Sequence, residues 1–131
     1  MKKESVHFLT LAEAIEIHKN QIELYGGDYG VRDYNLLNSA IYFPQSTFDS
    51  TFLLENLFDM AAAYIYHISQ NHPFIDGNKR AALVSGLVFL DFNGIEINDP
   101  DGLLYKMMMK VAEGRSSKDD ISEILKKLPI V

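Results

Sequence analysis

Asn71-His72-Pro73-Phe74-Ile75-Asp76-Gly77-Asn78-Lys79-Arg80 compresses a histidine, a carboxylate, a Gly-Asn pair and two cations into one short turn. A long apolar-periodic segment precedes it, and the run from Ala81 to Phe92 that follows reads as a helix. A loop that enters a helix is a natural anion site, because the first-turn N–H groups lack intrahelical partners. Gly77 lets the backbone approach a ligand closely or take up a positive φ. Asp76 suits a divalent cation, Lys79 and Arg80 suit phosphate oxygens, and His72 can accept a proton near neutral pH. These are the parts of a phosphate-transfer site.

Outward from this turn, the pattern predicts helices joined by short loops. Thr10 with Glu13 forms a capping-box pattern, and Leu11, Ile15, His18 and Ile22 recur at helical spacing until Gly26-Gly27. Asp33 is placed to cap a short helix carrying Leu36, Leu37, Ala40 and Ile41, which must end before Pro44. Gln45 to Ser50 reads as a polar loop or small hairpin. Thr51 is expected to open the longest helix, with Leu54, Leu57, Phe58, Ala61, Ala62, Ile65 and Ile68 on a wide apolar face. Lys79 to Asn93 is apolar almost all round, which predicts burial on most sides, with Gly94 just past its end. Ile95 to Ile97 reads as a brief extended piece, and Asn98-Asp99-Pro100 as the start of a helix running to Gly114. Ser116 or Ser117 caps a final helix whose Lys126-Lys127 complement its dipole. The expected fold is all-α, a bundle of about six helices with the motif loop between two central ones.

Bulk properties narrow the function classes. At 131 residues the chain has room for one core, and residues 1–131 are expected to form a single domain. A net charge of −6 without a Lys/Arg block argues against direct nucleic-acid binding. There is no cysteine, hence no disulfide framework or thiolate chemistry. No apolar run reaches membrane-spanning length and the first residues lack a signal-peptide core, so a cytoplasmic protein without membrane association is expected.

The motif resembles the signature of the Fic/Doc family, His-x-Phe-x-Asp/Glu-Gly/Ala-Asn-Gly/Lys-Arg. His72, Phe74, Asp76, Gly77, Asn78, Lys79 and Arg80 fill its named positions. Lys79, where Fic enzymes usually carry Gly, and Leu83, where they carry a second Arg, point to the Doc (death-on-curing) branch. Gly30-Val31-Arg32-Asp33-Tyr34-Asn35-Leu36-Leu37, then Ala40 and Pro44-Gln45, is similar to the N-terminal part of Doc toxins.

The resemblance implies a toxin of a toxin–antitoxin pair that uses ATP and Mg2+. It would transfer the γ-phosphate to a Ser or Thr hydroxyl of a target protein, with translation elongation factor Tu as the implied target. His72 would be the general base and Asp76 the magnesium ligand, with Gly77, Asn78, Lys79 and Arg80 on the nucleotide phosphates. Gln45, Ser46, Thr47 and Phe48 fall where the family places a flap that pairs with the target. A cognate antitoxin is the other implied partner. Two alternatives remain: a Fic-type adenylyltransferase that attaches AMP, and a catalytically silent nucleotide-binding module.

Each residue also has a structural reading. His72 can be a plain helix C-terminal residue, Asp76 an N-cap, Gly77-Asn78 an ordinary turn and Arg80 a solvated charge. Phe74 reads as a core anchor, and Arg32 and Asp33 as an ion pair or helix cap. Thr51 to Asn56 matches the Ser/Thr-x-x-x-Glu-Gly/Asn inhibitory pattern of some Fic proteins, but a helix cap followed by a first-turn acid explains it better. The Met107-Met108-Met109 run reads as helix filler, with exposed members available to an antitoxin.

Overall fold

A computed structural model describes residues 5–131. It contains six α-helices: α1 (Leu11–Tyr25), α2 (Tyr34–Tyr42), α3 (Leu57–Asn71), α4 (Asn78–Phe92), α5 (Leu103–Ala112) and α6 (Lys118–Lys127). A 3₁₀ turn, Phe43–Gln45, follows α2, and a two-stranded antiparallel hairpin, β1 (Thr47–Phe48) and β2 (Thr51–Phe52), precedes α3.

The predicted N-terminal caps hold three of these helices, α1, α2 and α6. Thr10 and Glu13 close a reciprocal capping box on α1, and Gly26 ends the helix at a φ of 86°. The Asp33 side chain accepts from the Leu36 amide, and Pro44 falls in the 3₁₀ turn beyond α2. Ser117 and Asp120 form a second capping box on α6, whose last turn carries Lys126 and Lys127. Of the stretch Gln45 to Ser50, Gln45 closes the 3₁₀ turn and Thr47 to Ser50 form the first strand and the turn of the hairpin.

Two boundaries differ from expectation. Thr51 opens strand β2, and α3 begins at Leu57, capped by Asn56, whose side chain accepts from the Asp59 amide. Thr51 and Asn56 are both competent caps; cross-strand pairing of Thr51 with Phe48 takes Thr51 out of the helix. The Thr51–Asn56 segment is therefore neither an inhibitory helix nor a first helical turn. Pro100 likewise lies in a turn ahead of α5. The Asp99 carboxylate accepts from the Leu103 and Leu104 amides and caps the helix from four and five residues away.

Helices α3 and α4 form the centre. Helix α3 packs chiefly on α4, then on α6 and α2, and α1 lies against α4. Met60, Ala61, Ala63, Tyr64, Ile65 and Ile68 of α3 and Ala81, Ala82 and Phe89 of α4 are fully buried. Gly86 permits this approach: a Cβ there would stand 2.6 Å from Ile65 Cγ1, inside contact distance. The two central helices are thus locked together, and the five residues between His72 and Asn78 must turn sharply at one end of the pair. No helix among the described residues is long and apolar enough to cross a membrane.

Candidate active site

The turn from α3 to α4 is built from two left-handed residues and one buried anchor. His72 ends α3 at φ 51°, ψ 50°, and Gly77 precedes α4 at φ 72°, ψ 23°. Phe74 is buried between them and stacks face to face on the His18 ring, with centroids 3.9 Å apart. The buried Asn78 side chain accepts from the Phe74 amide and donates to the Phe74 carbonyl, each at 2.9 Å. His18 Nε2 lies 2.7 Å from the Asp76 carbonyl oxygen. A carbonyl only accepts, so Nε2 carries the hydrogen.

A second loop, between α1 and α2, braces the first. The Arg32 and Asp33 amides both donate to the Pro73 carbonyl, the Ile75 amide donates to the Gly30 carbonyl, and Val31 bridges Phe74. The Asp28 amide donates to Asp76 Oδ2 at 3.1 Å, while the Gly77 amide donates to Oδ1 at 2.8 Å. A Cβ on Gly27 would lie 2.7 Å from Asp76 Oδ2, so only glycine leaves room for this carboxylate. The Asp28 amide foremost, then the Gly77 amide and the Arg80 charge, hold the Asp76 carboxyl below its usual range. It is exposed and anionic, and each oxygen keeps lone-pair capacity.

His72, Ile75, Asp76, Gly77, Asn78, Lys79 and Arg80 line one cavity of about 320 Å³. Every chemical residue singled out in the motif is therefore on one concave surface. No side chain caps the N-terminus of α4, and the first-turn amides of Asn78, Lys79 and Arg80 lack intrahelical partners there. With the helix dipole behind them they form an anion cradle. Lys79 is exposed. Asn78 contributes backbone to the cavity; its side chain is committed to the loop. Arg80 is half-buried: Nη2 donates to the Gly26 carbonyl at 2.9 Å and Nη1 reaches the Gln21 carbonyl at 3.5 Å. Its guanidinium is anchored to the end of α1, with its other N–H groups left for a ligand. The N-cap position of α4 belongs to Gly77, so Asp76 caps nothing.

Lys79 and Arg80 also line a second, largely apolar cavity of about 560 Å³, with Leu83, Asp99, Leu104, Tyr105, Met108 and Met109. Met107 and Met108 are buried core residues, and only Met109 of that run is substantially exposed. The hairpin stands apart from both cavities. Gln45 closes the 3₁₀ turn, Thr47 and Phe48 form β1, and Phe48 is 77% exposed.

Three contributors lie outside the motif's own pattern. His18 reads in the sequence only as one position of the α1 apolar stripe, Asp28 carries no signal, and Arg32 reads as part of an ion pair or helix cap. Arg32 in fact donates from Nε to the His72 carbonyl at 2.8 Å and from Nη2 to the Asn71 carbonyl at 3.0 Å. Asp33 is the α2 cap, not its ion-pair partner.

The signature residues, brought to one cavity at a helix N-terminus, agree with comparison against known proteins. The Fic/DOC family profile matches residues 8–90. This chain belongs to the Fic/DOC family. It is 40% identical over 73 residues to a protein named Toxin Doc from Mycolicibacterium smegmatis, a match covering 56% of this chain and 56% of that protein. The chain thus spans little more than half the length of that relative. It is also 31% identical over 116 residues to Protein kinase doc of Escherichia phage P1, covering 88% of this chain and 90% of the phage protein.

Proposed function

We propose that this Fic/DOC protein is a Doc-like toxin that transfers the γ-phosphate of ATP to a Ser or Thr hydroxyl of a target protein. The observation that carries the reading is the shared cavity, in which His72, the anionic Asp76, the open α4 amides and Lys79 face one volume. The name of the phage relative, which aligns over nearly the whole chain, supports a kinase over other transferases. By the same resemblance the target is a translation elongation factor, and a cognate antitoxin restrains the activity.

The residues fit a magnesium–nucleotide pair. Asp76 offers one carboxylate with unspent lone pairs, and a magnesium ion is commonly held by one or two carboxylates together with substrate phosphates and water. When bound, the ion neutralises phosphate charge. The amides of Asn78, Lys79 and Arg80 bind the terminal phosphates, and the Lys79 ammonium fixes their position as a point charge. The adjoining apolar cavity, reached past Lys79 and Arg80, has the size and lining for the nucleoside; roughly 300–1,000 Å³ is usual for small-molecule sites.

His72 then acts on the incoming alcohol. The target hydroxyl oxygen forms a bond to the γ-phosphorus as the bond to the β,γ-bridging oxygen breaks. The hydroxyl proton passes to a neutral imidazole nitrogen of His72, and ADP leaves. The hairpin at Thr47–Phe52 offers free backbone groups and an exposed Phe48, which suits docking of an extended target segment by strand addition.

Incubation with α-labelled and γ-labelled ATP tests the reading. Label transferred to protein only from the γ position supports phosphate transfer, whereas label only from the α position identifies an adenylyltransferase. Nucleotide binding with no transfer of either label would leave a silent binding module.

A further inference from the structure

Among the described residues, no hydrogen bond holds the His72 imidazole. The backbone fixes the Cα–Cβ direction from which the ring can reach the cavity, and at His72 it lies in the left-handed region, uncommon for non-glycine residues although Asn, Asp and His visit it more than most. Pro73 closes the right-handed alternative, since a proline ring opposes the α region in the residue before it. It does not select the left-handed well, because the extended region stays open to such a residue and is ordinarily preferred. Something else must hold His72 at φ 51°.

Arg32 is placed to do so. Its Nε and Nη2 grip the His72 and Asn71 carbonyls at 2.8 and 3.0 Å, so one planar fork spans the last two peptide groups of α3. Helix α3 has no basic residue in its own last turn, and Arg32 supplies that charge from 40 residues earlier in the chain. The fork itself stands on a fixed mount. The amides of Arg32 and Asp33 bond the Pro73 carbonyl at 2.7 and 3.1 Å, and Val31 pairs with Phe74. A swing of His72 to extended geometry would redirect its carbonyl and break the grip.

We infer that Arg32 is a positioning residue: its guanidinium keeps His72 left-handed and so aims the imidazole into the motif cavity. Arg32 does not line that cavity. The inference rests on the assignment of His72 as the base, but its structural half stands apart from that assignment. It also predicts that charge alone is insufficient, because a lysine at position 32 offers a point charge without the two-carbonyl fork.

Crystal structures of Arg32→Ala and Arg32→Lys, compared with the wild type, test the structural half whether or not the chain transfers phosphate. The expected result is loss of positive φ at His72 and withdrawal of the ring from the cavity in Arg32→Ala, with Asp76 unmoved. Steady-state transfer from ATP adds the functional half: kcat falls at least tenfold while the KM for ATP stays within about twofold, and Arg32→Lys recovers only part of kcat. A His72 still left-handed and facing the cavity in both variants would overturn the inference, as would full recovery of kcat by lysine. If Arg32→Ala does not fold, Arg32→Lys decides by the same φ and the same split of kcat from KM.

Discussion

Two loops flank the central helix α3, and they are held in opposite ways. The motif loop after α3 is fixed at nearly every residue: Pro73 by Arg32 and Asp33, Phe74 by Asn78 and His18, Ile75 by Gly30, Asp76 by Asp28 and His18. The hairpin before α3 has its own ladder, a local bond from the Leu53 amide to the Ser46 carbonyl, and an edge-to-face contact of Phe52 with Phe8. Its turn residues Asp49 and Ser50 are both left-handed, as a tight two-residue hairpin requires, and Phe48 projects into solvent. The difference suits the two tasks of the proposed activity. Chemistry needs groups held within fractions of an ångström, whereas pairing with a partner strand needs an edge left open.

Removal of the proposed base is the harshest way to break this contrast. His72→Ala is expected to lower transfer on the order of 10²–10⁴-fold in a labelled-ATP assay. Because His72 is exposed, the melting temperature should hardly move. Next comes the brace. Asn78→Ala removes both bonds to the Phe74 backbone and strands a buried amide, at a cost of about 2–4 kcal/mol in chemical denaturation.

Acid sharpens the comparison, because the two regions titrate differently. Burial, and then the Lys118 charge, pull the His67 imidazole down from 6.5 to about 4; its ring packs on Phe43 at the root of the hairpin. Between those values the unfolded chain binds a proton that the folded chain refuses, so stability falls as pH drops from 6.5 towards 4. Asp76 behaves differently. Its folded carboxyl lies below the ordinary 3.8, so its contribution is complete above that value and is lost only as pH falls through the depressed one. Melting curves from pH 7 to 4 should decline for the wild type and flatten for His67→Gln, with Asp76→Asn retaining the wild-type decline. The mildest change is at the open edge. Phe48→Ala should leave stability within about 0.5 kcal/mol and ATP affinity unaltered, while reducing modification of the target.

The sequence made local features legible and left distant ones dark. Thr10 with Glu13, Asp33, Gly94 and Ser117 each mark a helix end through groups three or four residues apart, and the structure follows them. The motif cavity is equally local, since its lining runs from His72 to Arg80. The misplaced start of α3 arose because Thr51 and Asn56 carry similar capping signals, and only pairing with Phe48 separates them. The turn Asp49-Ser50 lacks the Asn-Gly or Asp-Gly pair that would have announced a hairpin. His18, Asp28 and Arg32 reach the motif from 58, 48 and 40 residues away, and no spacing rule connects them to it. Chemistry is written in the motif; its rigidity is written elsewhere in the chain.

The central claim is that the braced loop moves a phosphate from ATP to a protein hydroxyl. Intact-mass spectrometry of purified translation elongation factors, incubated with this protein, ATP and magnesium, tests it most directly. The account predicts a gain of one phosphate on a Ser or Thr, absent with His72→Ala. A gain of AMP, or an unmodified factor under conditions in which ATP is bound, would contradict it.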